Sequence, residues 1–366
     1  MHALILGTRG VPAQHGGFET FAEQLARYLV QRNHQVTVYC QAGAQEAASE
    51  DSWEGIRRVS IPAGEGAAGT IKFDWDAIRH SSRERGVILT LGYNTGVLNL
   101  LHRLRGIPNV MNMDGIEWKR EKWSKPQQAW LWANEWAGAR VANHLVADHP
   151  EIKKHLSRHT PAEKITTIPY GSDAVTSAPI DPILPFGLKP KEYYILIARP
   201  EPENSVLEIV QAYAARKRGI PLVVLGTYRP EVNLYHKQVL GSGSEEVRFV
   251  GAIYDQSIVR SLRFYAKGYF HGHRVGGTNP SLVESLAAGN AVIAHDNVFT
   301  RWVAGPGTKF FKRPEDVIAI LDLLEREPGV LKQMEEASRK RHLESFTQEQ
   351  ILSAYEQLLA RFAPSK

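Results

Sequence analysis

The sequence predicts an α/β protein made of two parallel-sheet domains in tandem, and three observations carry that prediction. Short apolar runs alternate with amphipathic stretches of helical period along most of the 366 residues. The alternation halts at a proline-dense segment after residue 178 and restarts beyond it. A glycine pair, Gly16-Gly17 in the first half and Gly276-Gly277 in the second, follows an apolar run and precedes a helical stretch in each half.

In the first half, His2–Leu6 reads as a buried strand that ends in the loop GTRGVPAQHGG. A helix follows over residues 18–32, with Phe21, Leu25 and Leu29 on one face, and then a strand, QVTVYC. Residues 86–92 and 109–115 read as further strands, with a helix over 93–105 between them, and residues 145–147 and 165–169 complete the set. Pro179, Pro182, Pro185 and Pro190 stiffen and extend the next stretch, so residues 179–191 are expected to link a domain over 1–178 to one over 192–346. The second half repeats the pattern with strands YYILIA, PLVVLG, EVRFVGAI, GYFHGH and NAVIAHD and helices over 205–217 and 256–265. From Pro314 onward the chain reads as helical, and its end, residues 347–366, is expected to pack back on the first domain.

A hydrophobic content of 43% and a charged content of 23% are those of a globular protein. The single cysteine, Cys40, precludes an internal disulfide and fits a reducing compartment. MHALILGTRG lacks the charged leader and cleavage site of a signal peptide, and no stretch approaches the roughly 20 apolar residues of a membrane span. The chain is expected to be soluble or peripheral. A net charge of +5 favours anionic partners, but the bases are scattered and no nucleic-acid motif occurs, so nucleic acid is not an expected partner.

The stretch HGHRVGGTNPSLVESLAAG, residues 271–289, reads as a loop feeding a helix. Thr278 or Asn279 can cap it, and Pro280 suits its first position, where the missing N–H is no loss. Gly276 and Gly277 let backbone N–H groups approach an anion at the positive end of the helix dipole. Glu284, one turn in, accepts hydrogen bonds but repels phosphate, so ribose hydroxyls are its natural partner; the alternative is a capping box with Ser281.

Three stretches carry a resemblance to a known family. GGFETFAEQLARYLVQRNHQVTVY, IARPEPEN and GGTNPSLVESLAAGNAVIA resemble, in that order, segments of the retaining glycosyltransferases of the GT-B fold, in the fourth family of that classification. The runs MDGIEWKREKW, RPEPEN and HGHRVGGTNPSLVE are similar to the bacterial rhamnosyltransferase branch, which builds capsule and lipid-linked surface polysaccharides from dTDP-β-L-rhamnose. The resemblance implies two Rossmann-like domains facing a central cleft, a nucleotide-diphosphate sugar as donor, no cofactor, a lipid-linked saccharide acceptor, and a place in the cytoplasm at the inner face of the cell membrane. Two positions depart from the family pattern: Gly276 stands eight before Glu284 where a glutamate is usual, and Asn204 stands five after Arg199 where a lysine is usual.

On this reading Arg199 forks onto the departing diphosphate; the alternative is a salt bridge with Glu201 or Glu203. Gly16, Gly17, Asn204, His271, His273, Gly276, Gly277, Thr278, Asn279, Ser281 and Glu284 are the expected donor-binding residues. Asp114 is a candidate to orient or deprotonate the acceptor hydroxyl, or else the residue of an Asx turn. Trp118, Lys119, Arg120, Lys122 and Trp123 join aromatic rings to positive charge, as an acceptor or membrane surface would require, whereas Trp130 and Trp136 read as helix-packing core. Asp74-Trp75-Asp76 resembles the metal-binding Asp-x-Asp of another glycosyltransferase fold but reads as a helix start, and His271 and His273 lack a third ligand nearby, so no metal is expected. The alternatives are transfer of another hexose from a UDP or GDP donor, a nucleotide-sugar epimerase, and a non-catalytic sugar-binding module. A dinucleotide-dependent oxidoreductase is disfavoured, because Gly7-Thr8-Arg9-Gly10 has the wrong glycine spacing.

Overall fold

A computed structural model of the chain describes residues 1–13, 16–120 and 123–364. They form two compact units, one of residues 1–169 with 351–366 and one of residues 170–350.

The first unit is built on eight strands: β1 (His2–Leu6), β2 (Gln35–Ala42), β3 (Ser49–Trp53), β4 (Ile56–Pro62), β5 (Val87–Leu91), β6 (Asn109–Asn112), β7 (His144–Ala147) and β8 (Ile165–Thr167). Their order across the sheet is β3-β4-β2-β1-β5-β6-β7-β8. Every pairing is parallel except β3 with β4. β1 and β5 are apolar on both faces, as a doubly covered parallel sheet requires. The helices are α1 (Gly17–Gln31), α2 (Gly66–Ser81), α3 (Leu100–Leu104), α4 (Lys125–Val141) and α5 (Pro150–Leu156). Phe21, Leu25 and Leu29 of α1 lie in the core against β1 and β2.

The second unit contains β9 (Tyr194–Ile197), β10 (Leu222–Leu225), β11 (Val247–Gly251), β12 (Gly268–His271), β13 (Ala291–His295) and β14 (Lys309–Phe311), in the order β11-β10-β9-β12-β13-β14 and all parallel. Its helices are α6 (Val206–Ala214), α7 (Leu234–Gly241), α8 (Gln256–Tyr265), α9 (Pro280–Ala287), α10 (Val298–Ala304), α11 (Pro314–Arg326) and α12 (Pro328–Ser345). The last helix, α13 (Gln348–Phe362), places Ile351, Leu352, Tyr355, Leu358 and Leu359 in the core of the first unit. The Asn112 amide donates to Tyr355 Oη at 2.8 Å, which ties that helix to β6.

The proline-dense stretch is not an extended link. Residues 181–186 form a 3-10 turn, and Ile183 and Leu188 are buried in the core of the second unit. The prolines set φ for the turn, while one apolar residue within it and one just after it reach the interior. The chain instead passes between the units at residues 169–170.

Loss of the α13 contacts should loosen the first unit. Leu359→Ala is expected to cost about 2–5 kcal/mol. Tyr355→Phe, which leaves the buried Asn112 amide without its acceptor, should cost about 1–3 kcal/mol. Thermal denaturation of each variant checks both; unchanged melting would remove α13 from the cooperative core.

Candidate functional site

In a parallel sheet, ligand sites form where the strand order reverses, because there the connections from two neighbouring strands run to opposite faces and leave a crevice at the carboxyl ends. The second unit reverses between β9 and β12, and the first between β1 and β5.

At the β9/β12 reversal two loops meet. The first leaves β9 through Arg199, whose side chain is solvent-exposed and has no ion-pair partner among the described residues, so the salt-bridge alternative is not formed. The second leaves β12 through His271. Gly272 is required there, since a Cβ would collide with the main-chain oxygen of Asn204. Asn204 is 2% exposed, and its amide donates to the Arg199 carbonyl at 2.9 Å. Buried beneath the loops, Asn204 fixes the main chain that carries Arg199.

His271 and His273 stack with ring centroids 4.5 Å apart, and His271 is buried with Nδ1 unpartnered among the described residues. Burial, with His273 and His295 nearby, holds His271 well below the usual imidazole range, so it is neutral. Gly276 has φ of +124°, which only glycine adopts readily. Neither its amide nor that of Gly277 donates a hydrogen bond among the described residues. The Asn279 side chain accepts from Ser281 N at 3.0 Å and caps α9, and Thr278 is buried beneath it.

Glu284 does not form the capping box. Arg263 Nη1 lies 2.6 Å from its Oε2, and Arg263 Nη2 donates to Ser281 Oγ at 2.9 Å, where Tyr269 Oη also binds. Arg263 is almost fully buried, whereas the Glu284 side chain is 38% exposed, so a fixed guanidinium orients a carboxylate that still faces solvent. Ser281 is accordingly a support beneath the surface. Sequence reasoning missed Arg263. Its signal was a charge one helical turn after Val259, on the apolar stripe of α8.

In the first unit, Gly16 caps α1 and Gly17 begins it, and Arg9 N donates to Glu19 Oε1 at 3.4 Å across the loop. The described part of this loop, β1, β5 and α2 enclose a cavity of about 340 Å³. Asp74 lines it from the middle of α2, not from a helix start: the glycine-containing turn before α2 begins the helix at Gly66. Thr95 Oγ1 donates to Asp74 Oδ2 at 2.7 Å, yet burial pushes this carboxyl up to about 6.

Asp114 is partly exposed with φ of +50°, and its N–H donates to Asn112 Oδ1 at 2.8 Å, so the Asx turn belongs to Asn112 and leaves the Asp114 carboxylate out of it. Trp118 and Trp123 are half-buried, with indole N–H groups bound to Glu135 and Glu117 at 3.0 and 3.2 Å. Arg120 pairs with Glu117 at 2.8 Å, and Lys119 stands over the Trp118 ring. These partners hold most of the group against the protein; Lys122 lies outside the described residues. Trp130, by contrast, is 45% exposed and not core, because its indole N–H reaches the Asn94 carbonyl at the surface of α4. Trp136 is half-buried, with the His159 ring tilted against it and the Arg140 guanidinium 4.0 Å from its centroid.

Among the described residues, one group could hold a metal: Glu135, His155 and His159, with ligand atoms within 4.8 Å of one another. Both imidazole Nε2 atoms meet Glu135 Oε1, at 2.7 and 3.1 Å, while Trp118 takes Oε2. The carboxylate is thereby satisfied by protein donors.

A protein-family model described as a domain of unknown function, DUF1972, matches residues 1–173. No curated protein matches the chain in sequence. Among solved structures, a sucrose-phosphate synthase from Thermosynechococcus elongatus has a TM-score of 0.80 at 16% identity, over 98% of either chain. Anabaena HepE in complex with UDP-glucose has a TM-score of 0.76 at 15% identity, over 99% of this chain and 100% of that one. A glycosyltransferase from Rickettsia africae has a TM-score of 0.74 at 14% identity, over 100% of this chain and 99% of that one. Likeness along whole chains at such low identity establishes the fold: this is a GT-B protein with two Rossmann-like domains.

The Asp74 carboxyl binds its proton more tightly in the folded chain than at its ordinary value of 3.8, so its ionisation opposes folding increasingly as the pH rises from 3.8 to about 6, fully above that, and not at all well below 3.8. Asp74→Asn is therefore expected to stabilise the protein by about 1–3 kcal/mol near pH 8. The gain should fade through about pH 6 and vanish near pH 4 in calorimetric scans. A gain independent of pH would point to packing instead.

Proposed function

We propose that this chain is a retaining glycosyltransferase that takes its sugar from a nucleotide-diphosphate donor, with dTDP-β-L-rhamnose the favoured donor and a lipid-linked saccharide of surface-polysaccharide synthesis the favoured acceptor. The observation that carries the proposal is the β9/β12 reversal. There two amides, at Gly276 and Gly277, and the guanidinium of Arg199, none with a partner among the described residues, leave the same edge of one sheet as the oriented carboxylate of Glu284. Amides and guanidinium suit a diphosphate, and the carboxylate suits a vicinal diol. The full-length likeness to HepE, solved with UDP-glucose, supports a nucleotide sugar. The sequence runs that resemble the rhamnosyltransferase branch support the sugar. Glycine at 276, where the family carries a glutamate, leaves fewer hydrogen-bond groups for the sugar ring, in keeping with a 6-deoxy donor.

The chemistry follows from charge. As the glycosidic C–O bond lengthens, negative charge gathers on the leaving diphosphate, where Arg199 and the two amides stabilise it. The leaving phosphate oxygen then accepts the proton of the acceptor hydroxyl as that hydroxyl adds to the same face, so no strong protein base is needed. Among the described residues no helix is long and apolar enough to cross a membrane. For a peripheral contact, the exposed Trp130 and Trp132 of α4 and Leu100 and Leu104 of α3 offer a better surface than the tethered Trp118 and Trp123.

Thermal shift against dTDP-rhamnose, UDP-glucose and GDP-mannose tests the donor: the true donor at 100 times its dissociation constant should add about 2.7 kcal/mol. Arg199→Ala should lower kcat by roughly 100- to 1000-fold with the fold intact; near-normal turnover would remove Arg199 from the mechanism. Glu284→Gln should weaken donor binding about tenfold or more, and unchanged affinity would mean that Glu284 serves only Arg263.

A further inference from the structure

Apart from the two strand-order reversals, the described residues hold one cluster of metal-ligating side chains, and it lies wholly in the first unit. We infer that Glu135, His155 and His159 bind a single zinc-class divalent ion, which clamps α4 to the turn that follows α5.

The site is built from local sequence upward. His155 and His159 stand four apart, and helical hydrogen bonds continue past the end of α5, from Ser157 N to the Lys153 carbonyl and from Thr160 N to the Leu156 carbonyl. The two imidazoles therefore share a face, with rings nearly perpendicular at 86° and centroids 5.3 Å apart. Glu135 meets that face from α4. Both Nε2 atoms point at one carboxylate oxygen, Oε1, at 2.7 and 3.1 Å. The three ligand atoms all lie within 4.8 Å of one another. Tetrahedral zinc, with bonds of about 2.0–2.2 Å, holds its ligand atoms about 3.3 Å apart, so small rotations of the rings admit the ion.

Three observations favour an ion over hydrogen bonds alone. The other oxygen, Oε2, accepts the Trp118 indole N–H at 3.0 Å, and an outer partner of this kind is what orients a ligating carboxylate. His159 Nδ1 is buried without a partner among the described residues, so it can take the ring proton when Nε2 coordinates. The side chains of Glu135, His155 and His159 are 1%, 10% and 8% exposed, and the rings of Trp118 and Trp136 lie against the two imidazoles. That shell lowers the local dielectric, while the imidazole edges leave a way in. The donor set selects the metal: magnesium and calcium take oxygen ligands, whereas two imidazoles with a carboxylate suit zinc, and a water completes the four. None of the three residues lines the cavity at the β1/β5 reversal, so the ion is structural and the transfer chemistry does not pass through it. Through the Trp118 bond it also steadies residues 117–119.

The test is calorimetric titration of the untagged, chelator-treated full chain with zinc, with magnesium and calcium as controls. One zinc per chain should bind and raise the melting temperature, and neither control ion should do so at the same concentration. Cobalt in place of zinc should give the intense visible absorption of a four-coordinate ion. Loss of an outer partner costs roughly 10- to 100-fold in metal affinity, so Trp118→Phe should fall in that range. Glu135→Gln and His159→Gln, which each remove a ligand, should cost more. The wild-type stoichiometry and cobalt spectrum decide the matter even where a variant fails to fold. Absence of stoichiometric zinc from the wild type, a six-coordinate cobalt spectrum, or undiminished binding by folded Glu135→Gln and His159→Gln overturns the inference.

Discussion

The reversal of strand order within a parallel sheet is the constraint on which the rest depends. Where two neighbouring parallel strands send their chains to opposite faces, no third element covers their carboxyl ends, so polar groups placed there stay open. In the second unit β9 and β12 meet this condition, and in the first β1 and β5 do. The central strands β1, β5, β9, β10 and β13 are otherwise buried on both faces and carry mostly aliphatic side chains. Arg199 stands at one reversal and Asp74 lines the cavity at the other.

The two reversals hold their charges in different ways. At β9/β12 the charge is positive and braced from below: Asn204 fixes the chain carrying Arg199, and buried Arg263 orients the outward carboxylate of Glu284. Such bracing pre-pays the entropy of ordering the site before the ligand arrives. At β1/β5 the Asp74 carboxyl is bound by the Thr95 hydroxyl, yet burial dominates and pushes it up to about 6. The first arrangement favours an anion whose charge grows during reaction.

Much of this was legible in the sequence because it is written in local pattern. The doubly buried strands β1, β5, β9 and β12 are continuous apolar runs, and Asn279-Pro280 marks the start of α9 by cap and ring alone. What escaped depends on partners distant in sequence. Strand β3, with the sequence SEDSW, is polar and exposed except at its last residue, so no periodicity announces it; it is held by pairing to β4, with Arg58 bound to Asp51. The proline-dense stretch reads as a link until Ile183 and Leu188 find a core to enter. Trp130 reads as core on composition, although its face of α4 is open. The contacts of Arg263 with Glu284 and of Asp74 with Thr95 join residues on different elements, so neither partner could be named from local pattern.

The central claim is that a diphosphate is bound at the carboxyl ends of β9 and β12, and a crystal structure of the chain with an intact nucleotide-diphosphate sugar tests it most directly. The account predicts phosphate oxygens on the amides of Gly276 and Gly277 and on the Arg199 guanidinium, with ribose hydroxyls on Glu284. A diphosphate bound away from that sheet edge, with Glu284 still paired only to Arg263, would contradict it.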